Sequence, residues 1–252
     1  MRVFAVSDLH VDHEINLKWL KGLSNSDFKD DILILAGDIT DNLNLLGKSF
    51  QILASRFNKV LFVPGNHDCW VIRDQINTSI EKFHKVIDVC SDFGVGTDVY
   101  QVENLTIVPL FSWYDFSFGK PCMQLKASWG DFFCCKWPDN YLVTDIADYF
   151  LSMNIERLST VNDLVISFSH FLPRIDIMPD FIPESIRYLY PVLGSYKLNE
   201  QLNILNPQIH IYGHSHVNWQ VQLGGVQFIN NAYGYPTETR ITRKDLRCVY
   251  ES

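Results

Sequence analysis

Five short apolar runs, each rich in β-branched residues and ending abruptly in polar ones, constrain the fold of this chain more than any other feature. The runs lie at residues 3–6, 32–35, 60–63, 165–168 and 209–212. Runs of this length are typical of strands that are buried on both faces of a sheet. Between them, residues 43–57 and 76–87 carry apolar side chains at steps of three or four, which predicts helices. This alternation of strands and helices predicts an α/β fold.

Two further pairs of short apolar segments predict β-hairpins. The first pair lies at residues 99–102 and 106–108, and the second at residues 220–223 and 226–229. Short segments on either side of a few turn-forming residues are typical of antiparallel strands. A second sheet made from such strands, with helices outside both sheets, gives a four-layer α/β/β/α sandwich as the predicted architecture. A length of 252 residues suits one substantial core, so a single domain over residues 1–252 is predicted, ordered except at its last few residues.

Each of the five predicted strands is followed at once by side chains that can bind a metal ion. The clusters are Asp8-Leu9-His10, Gly37-Asp38, Gly65-Asn66-His67-Asp68, Ser169-His170 and Gly213-His214-Ser215-His216. Because the carboxyl ends of strands in open α/β sheets converge on one crevice, these clusters are expected to meet in space. A lone histidine after a strand is most often structural, but five of the eight histidines lie in these clusters. The joint pattern therefore predicts a metal centre.

These clusters, in this order, resemble the calcineurin-like metallophosphoesterase superfamily. The superfamily pattern is D-x-H, then GD, then GNH followed by D or E, then a lone H, and finally GHxH. Here it extends from Asp8 to His216, which is nearly the whole chain. The resemblance implies the α/β/β/α sandwich of that superfamily, a centre of two metal ions and metal-dependent hydrolysis of phosphoesters.

The resemblance also implies which residues bind the two ions. One ion would be held by Asp8, His10, Asp38 and His216, and the other by Asp38, Asn66, His170 and His214. Asp38 would bridge the ions, since its carboxylate has two oxygens and offsets part of the repulsion between neighbouring cations. The ligands are imidazole, carboxylate and amide groups without a thiolate, so two divalent or trivalent ions of Mn, Fe, Zn, Co or Ni are admissible.

The same pattern predicts how a phosphoester would be cleaved. Two ions about 3.5 to 4 Å apart lower the pKa of a bridging water, and the resulting hydroxide attacks phosphorus in line with the leaving group. His67 is not a ligand in the family pattern and is predicted to protonate the leaving oxygen, the alternative being a turn-stabilising histidine. Asp41 either orients that histidine, as in the protein-phosphatase branch, or is the N-cap of a helix beginning at Asn42. The remaining histidines are predicted at the surface or around the ligands: His13, His84 and His210.

An aromatic segment, residues 111–137, lies between the third and fourth clusters. It contains Phe111, Trp113, Tyr114, Phe116, Phe118, Trp129, Phe132, Phe133 and Trp137. Such a segment can form a wall or lid over the metals, or a satellite core under a long loop, and the satellite core is the favoured interpretation. Tyr233-Gly234-Tyr235-Pro236 is a weaker candidate for a second wall.

The charge and hydropathy of the chain limit its partners. A formal net charge of -8 opposes tight binding to long nucleic acid, which normally needs a basic face. It does not oppose a small phosphorylated substrate, because two bound cations would reverse the local field. No stretch approaches the roughly 18 consecutive apolar residues of a membrane span, and the first apolar run leads directly into Asp8, so no cleaved signal is expected. The chain is therefore predicted to be cytoplasmic and to have no membrane partner.

The resulting hypothesis is a hydrolase acting on ester bonds that cleaves a small phosphomonoester or phosphodiester. Cyclic nucleotides are among the candidate substrates, because GNHD and GHSH resemble that branch of the superfamily. A protein phosphatase is less well supported, since Asn42-Leu43 stands where that branch has Arg-Gly. A nuclease would be expected to carry a basic surface and an appended domain. The hypothesis from a different class is a non-catalytic binding scaffold of the same fold, which the intact set of ligand residues disfavours.

Overall fold

Two β-sheets form the centre of the computed structural model, which describes residues 1–159 and 164–252. The four-stranded sheet contains β1 (Arg2–Val6), β2 (Ile32–Leu35), β3 (Lys59–Phe62) and β10 (Arg247–Glu251), in the order β10-β1-β2-β3. The six-stranded sheet contains β4 (Tyr100–Val102), β5 (Leu105–Pro109), β6 (Leu164–Phe168), β7 (Ile209–Tyr212), β8 (Trp219–Leu223) and β9 (Val226–Asn230), in the order β4-β5-β6-β7-β9-β8.

The strands that carry the predicted clusters run parallel within each sheet. β1, β2 and β3 pair in parallel, and so do β5, β6, β7 and β9. Their ends differ from the five predicted runs by at most one residue. Both predicted hairpins are confirmed, since β4 pairs with β5 and β8 with β9 in antiparallel register. Parallel pairing places the carboxyl ends of the cluster-bearing strands at one edge of each sheet.

Helices cover the sheets. They are α1 (Glu14–Lys21), α2 (Leu43–Ala54), α3 (Ser79–Asp92), α4 (Met123–Ser128), α5 (Asp131–Cys134), α6 (Val143–Ser152) and α7 (Tyr196–Leu205). Short 3-10 helices occupy His67–Cys69, Ile155–Ser159, Ile175–Ile177 and Glu184–Val192. Within residues 1–159 and 164–252, no helix is long and apolar enough to cross a membrane.

The side chains of β1 point alternately into two different cores. Val3 and Ala5 lie in a central cluster that also contains Ile166 of the other sheet. Phe4 and Val6 lie in an outer cluster with side chains of α1, α2 and α3. A third cluster packs the outer face of the six-stranded sheet against α6 and α7. This two-residue alternation buries both faces of the strand and confirms the predicted four-layer α/β/β/α sandwich.

A side-chain cap fixes where α2 begins. Asn42 Oδ1 accepts a hydrogen bond from the Leu45 backbone N–H at 2.9 Å, so Asn42 is the N-cap of α2. Such a cap satisfies a backbone donor that has no partner within the helix. The interpretation of Asp41 as this N-cap is therefore wrong by one residue.

The expectation of disorder at the last few residues is also wrong. Residues Arg247–Glu251 form β10, which pairs antiparallel with β1 at the edge of the four-stranded sheet. The pairing satisfies the backbone groups on the outer side of β1. Cys248 and Glu251 remain exposed in this strand, which explains why it lacks the apolar signature of a buried strand.

Candidate metal centre

The structure brings all seven predicted ligands together where the carboxyl ends of the two sheets meet. Those following strands of the four-stranded sheet are Asp8, His10, Asp38 and Asn66, and those following strands of the six-stranded sheet are His170, His214 and His216. Three groups of side chains could each hold a metal ion, because the possible ligand atoms within each group lie within 4.8 Å of one another. The groups are Asp8, His10 and His216; His10, Asp38 and His67; and Asp38, His170 and His214.

The first group has the spacing of ligands around one ion. His216 Nε2 lies 3.2 Å from Asp8 Oδ1 and 3.1 Å from His10 Nε2. Two nitrogens that bind one metal at about 2.0 to 2.1 Å and at right angles are separated by roughly 3 Å. The chemistry and spacing of these side chains therefore fit a transition-metal ion.

The third group surrounds His170. Its Nε2 atom lies 3.0 Å from Asn66 Oδ1, 3.1 Å from His214 Nδ1 and 3.4 Å from Asp38 Oδ2. Asp38 therefore lies between His170 and the His10 side of the site, since it belongs to two of the three groups. This donor set of two imidazoles, one amide oxygen and one carboxylate also fits a transition-metal ion.

Hydrogen bonds on the far side of three imidazoles leave the near nitrogen free to bind a metal. His170 Nδ1 donates to the Ala36 carbonyl at 2.8 Å, and His214 Nε2 donates to the Val192 carbonyl at 3.0 Å. His216 Nδ1 donates to Glu238 Oε2 at 2.7 Å. Such partners fix the tautomer and the orientation of a metal-binding imidazole.

The two carboxylates make the site strongly attractive to cations. Burial alone lowers the pKa of His216, but Asp8 and Glu238 outweigh it and raise the pKa to about 10. Burial likewise opposes charge on His170, yet Asp38 and Asp8 raise its pKa to about 9. Burial raises the pKa of Asp8, but the opposing effect of His216 is stronger and lowers this pKa to about 2. Opposite charges at this range favour the ionised forms, and a metal ion would satisfy the same field.

Five of the seven predicted ligands have left-handed backbone conformations. The φ angles are 54° at Asp8, 40° at His10, 58° at Asp38, 66° at His214 and 53° at His216. Non-glycine residues rarely adopt this region, and such conformations concentrate at functional sites. The sharp turns aim consecutive side chains of each cluster back toward the same point.

Asp68 holds two of the ligand-bearing loops together. Its carboxylate accepts hydrogen bonds from the backbone N–H groups of Asp38 at 2.8 Å, Ile39 at 3.0 Å and Gly65 at 2.8 Å. Burial and the neighbouring Asp38 charge raise the pKa of Asp68 to about 7. The last residue of GNHD thus fixes the loop after β2 to the loop after β3, a role that the sequence did not reveal.

His67 faces the open side of the site. Its ring stacks on Trp70 with centroids 3.7 Å apart, and its Nε2 atom lies 3.4 Å from the Tyr235 hydroxyl and 4.0 Å from Asp38 Oδ2. Asp41 Oδ1 lies 3.0 Å from Arg73 Nη1, and no hydrogen bond joins Asp41 to His67 among the described residues. The ring of His67 is therefore oriented by its aromatic neighbours.

Sequence reasoning missed Asp131, which is buried beside the site. Its carboxylate accepts hydrogen bonds from Asn66 Nδ2 at 2.8 Å, Trp70 Nε1 at 2.7 Å and Trp129 Nε1 at 2.8 Å. Burial raises the pKa of Asp131, although these donors oppose that shift. Asp131 thereby turns the Asn66 oxygen toward His170 and fixes the indole that stacks on His67. The only signal in the sequence was its position in the aromatic segment.

The aromatic segment has two different roles, so its interpretation as a satellite core is wrong. Phe111, Trp113 and Tyr114 belong to the central core between the sheets. Trp129 and Asp131 line a cleft of about 340 Å³ beside the predicted ligands. Its other members range from partly buried Trp137 to exposed Phe133.

Tyr235 and Glu238 form the opposite wall of the cleft. Tyr235 stacks on His10 with ring centroids 4.4 Å apart and lines the cleft. This position agrees with the prediction that residues 233–236 form a second wall. Glu238 was missed, although it accepts hydrogen bonds from both His216 Nδ1 and the Tyr235 backbone N–H at 2.7 Å. Leu189 and Leu193 add an apolar side to the same cleft.

The histidines outside the pattern lie around the centre or at the surface. His84 is exposed, and exposed His13 approaches Tyr235 with ring centroids 5.5 Å apart. His210 is fully buried and lies 2.8 Å from Ser167 Oγ and 3.1 Å from Ser169 Oγ. Burial lowers its pKa to about 3, so His210 is a neutral core residue next to the strand end that carries the fourth cluster.

A family model for calcineurin-like phosphoesterases matches residues 1–218. The chain therefore belongs to the calcineurin-like phosphoesterase family, and the predicted family and fold are confirmed. It is a hydrolase that acts on phosphoester bonds with the help of metal ions, as predicted.

Two comparisons identify more specific relatives. The chain is 28% identical to the [acyl-carrier-protein] phosphodiesterase PptH of Mycobacterium tuberculosis, over 94% of this chain and 79% of that protein. It is 24% identical to an uncharacterised protein of Acanthamoeba polyphaga mimivirus, over 94% of this chain and 93% of that protein. The crystal structure of the phosphopantetheinyl hydrolase PptH from M. tuberculosis has a TM-score of 0.84 and 26% identity, covering 100% of this chain and 96% of that one.

Proposed function

We propose that this chain is a phosphodiesterase that hydrolyses the bond between a phosphopantetheinyl group and an acyl carrier protein. The observation that carries the proposal is the cleft in which His67 Nε2 lies 4.0 Å from Asp38 Oδ2, beside the three groups of possible metal ligands. The names of the relatives at 28% and 26% identity supply the substrate class. A phosphate attached to a protein must enter from outside, and His67 is 19% exposed in the cleft.

We further propose that the centre binds two transition-metal ions, as the family pattern implies. The first would be held by Asp8, His10, Asp38 and His216, and the second by Asp38, Asn66, His170 and His214. Separations of 3.0 to 3.4 Å between the possible ligand atoms in each group support this assignment. When bound, such ions activate water and stabilise the negative charge of the phosphoryl oxygens. Mn, Fe, Zn, Co and Ni all suit these donors.

His67 is proposed as the general acid. The oxygen of water forms a bond to phosphorus and loses a proton to solvent, the ester bond on the carrier-protein side breaks, and His67 gives its proton to the departing oxygen. Trp70 and Tyr235 hold the imidazole in place through the stacking and hydroxyl contacts described above. The apolar side of the cleft, formed by Leu189 and Leu193, faces the remainder of the phosphopantetheinyl group in this scheme.

The same proposal covers the organisation of the chain. Residues 1–252 would form one domain, because the central cluster contains side chains of both sheets. A small phosphorylated group would occupy the cleft, and the reaction is proposed to take place in the cytoplasm.

Incubation with a phosphopantetheinylated carrier protein and Mn²⁺ tests the proposal. Mass spectrometry should show conversion of the carrier protein to the form that lacks the group, together with release of free phosphopantetheine. Asp38→Asn is the control, since it removes the carboxylate proposed to be shared by both ions. A wild-type protein that hydrolyses bis(4-nitrophenyl) phosphate but leaves the carrier protein intact would contradict the substrate and retain the phosphoesterase.

A further inference from the structure

Three arginines near the C-terminus lack an acidic partner. Arg240, Arg243 and Arg247 form no ion pair with any residue in the described part of the chain. Of the other six arginines, four form ion pairs, namely Arg2–Asp31, Arg73–Asp12, Arg157–Asp98 and Arg174–Asp176, whereas Arg56 and Arg187 form none within the same described residues. In a chain with a net charge of -8, residues 240–247 carry these three arginines and Lys244 against one acidic residue, Asp245, and so form a local basic exception.

Two of these arginines are held close together. Arg243 and Arg247 line one surface depression of about 240 Å³ together with Trp219 and Gln220. The Arg247 guanidinium donates a hydrogen bond to Gln220 Oε1, which fixes it beside β8. Burial and the neighbouring Arg243 charge both lower the pKa of Arg247. Like charges at short range repel each other, and a bound anion relieves this repulsion.

Apolar side chains are exposed next to the arginines. Phe181 is 62% exposed and contacts Trp219 with ring centroids 5.7 Å apart. Ile241 is 37% exposed, and its carbonyl accepts a hydrogen bond from the Asn218 backbone N–H at 2.8 Å. Aromatic residues and arginine are enriched in protein interfaces, where apolar contacts provide the buried area.

This surface adjoins the metal centre on the side of His216. Trp219 is the third residue after His216, and Glu238, two residues before Arg240, contacts the imidazole of His216 at 2.7 Å. Thr242, in the segment that carries the arginines, and His216 both lie next to Gly234. A methyl group added at Gly234 would be 2.8 Å from Thr242 Cγ2 and 3.6 Å from His216 Nδ1. The segment that carries the arginines therefore begins at the wall of the cleft.

We propose that an arginine surface, formed by Arg240, Arg243, Arg247, Phe181, Trp219 and Ile241, docks an acidic face of the carrier-protein substrate. The inference rests on the proposed function and specifies how the protein part of that substrate is recognised. Charge complementarity selects an acidic partner, because the surface is basic on an acidic chain. Exposed aromatic and aliphatic side chains favour a folded protein over a nucleic acid, whose phosphates the rest of this chain repels.

Charge reversal tests the surface. The double variant Arg240→Glu/Arg243→Glu should raise KM for the phosphopantetheinylated carrier protein about tenfold or more, because electrostatic attraction speeds encounter by about that factor. The value of kcat should change less than about twofold, since rim charges act mainly on association. At an ionic strength of about 1 M, where charges are screened beyond about 3 Å, the difference in KM should disappear.

A matched control and a milder variant keep the test decisive. Lys48→Glu/Lys85→Glu introduces the same charge change on α2 and α3, at two exposed positions, and should leave KM nearly unchanged. Arg240→Gln/Arg243→Gln should give a smaller rise in KM if the charge-reversed protein fails to fold, as its melting temperature would show. An equal KM rise in the lysine control, or none in either arginine variant, would overturn the docking surface.

Two further outcomes separate this inference from the proposed function. If the wild type cleaves small diesters but never the carrier protein, the proposed function fails and the docking inference fails with it. If the carrier protein is cleaved normally by the arginine variants while their binding to a single-stranded RNA is lost, only the docking inference fails. A selective rise in KM for the carrier protein, with unaltered RNA binding, supports it.

Discussion

The two ends of the aromatic segment each carry a tryptophan, but these tryptophans have opposite roles. Trp113 is 1% exposed, packs against Trp137 and Phe171, and its indole N–H has no partner among the described residues. Trp129 lies at the cleft, and its indole N–H donates to Asp131 at 2.8 Å. The first tryptophan contributes apolar area alone, whereas the second helps to hold a buried carboxylate. Aromatic content therefore predicts burial, and the partner of the indole nitrogen distinguishes core from site.

The largest expected effect is loss of stability at the core end. Trp113→Ala should lower the free energy of unfolding by about 3 to 5 kcal/mol, because it leaves a cavity between the sheets. The metal content and relative activity on two substrates should stay unchanged in the folded protein. Phe133→Ala, at a position 60% exposed in the same segment, is the control and should change stability by less than about 0.5 kcal/mol. A changed substrate ratio in Trp113→Ala would erase the distinction between the two ends.

The next largest effect is expected on the catalytic rate when His67, which stacks on Trp70, is replaced. His67→Gln should lower kcat by about 10²-fold to 10⁴-fold on an alkyl diester, the usual contribution of a general acid, with metal content unaltered. The loss should be smaller on a nitrophenyl diester, because nitrophenolate departs without a proton. Steady-state rates on both esters measure this difference. Equal losses would show that His67 positions the phosphate or the metals.

A smaller effect is expected at Asp131. Asp131→Asn keeps the shape of the side chain but replaces one acceptor oxygen with a donor facing Asn66, Trp70 or Trp129. Metal affinity should fall by about 10-fold to 100-fold, as is typical when a partner of a ligand is removed. Titration with Mn²⁺ followed by metal analysis measures the change. Asp139→Asn, at an exposed position after the same segment, is the control, and an equal affinity in both variants would refute the role of Asp131.

The smallest effect is expected at Trp129. Trp129→Phe keeps an aromatic ring but removes one of three hydrogen bonds to Asp131. A hydrogen bond to a charged group contributes about 1.5 to 3 kcal/mol, and the two remaining donors should hold the loss of metal affinity below that of Asp131→Asn. The melting temperature should change less than in Trp113→Ala. A larger loss of metal affinity than in Asp131→Asn would assign the indole a direct role beside His214.

The seven candidate ligands could be selected from the sequence because each of them directly follows a strand. Asp8 and His10 follow β1, and His214 and His216 follow β7, so a local pattern located them without knowledge of the packing. Asp131 reaches Asn66 across 65 residues, and no periodicity or spacing relates the two.

Contacts that form only after folding explain the other omissions. Glu238 meets His216 only because the chain returns to the cleft after β9. Strand β10 carries exposed side chains at Cys248 and Glu251, so its pairing with β1 left no hydrophobic pattern to detect.

The predicted ligands come from both sheets, and this arrangement has a thermodynamic consequence. Asp8 and His214 are 206 residues apart, yet the Asp8 carboxylate accepts a hydrogen bond from the His214 backbone N–H at 3.1 Å. Any ion held between the sheets binds the native chain and not the unfolded one, so its binding free energy adds to folding stability by mass action. The supply of metal in the cell would then govern how long the chain escapes proteolysis as well as how fast it works.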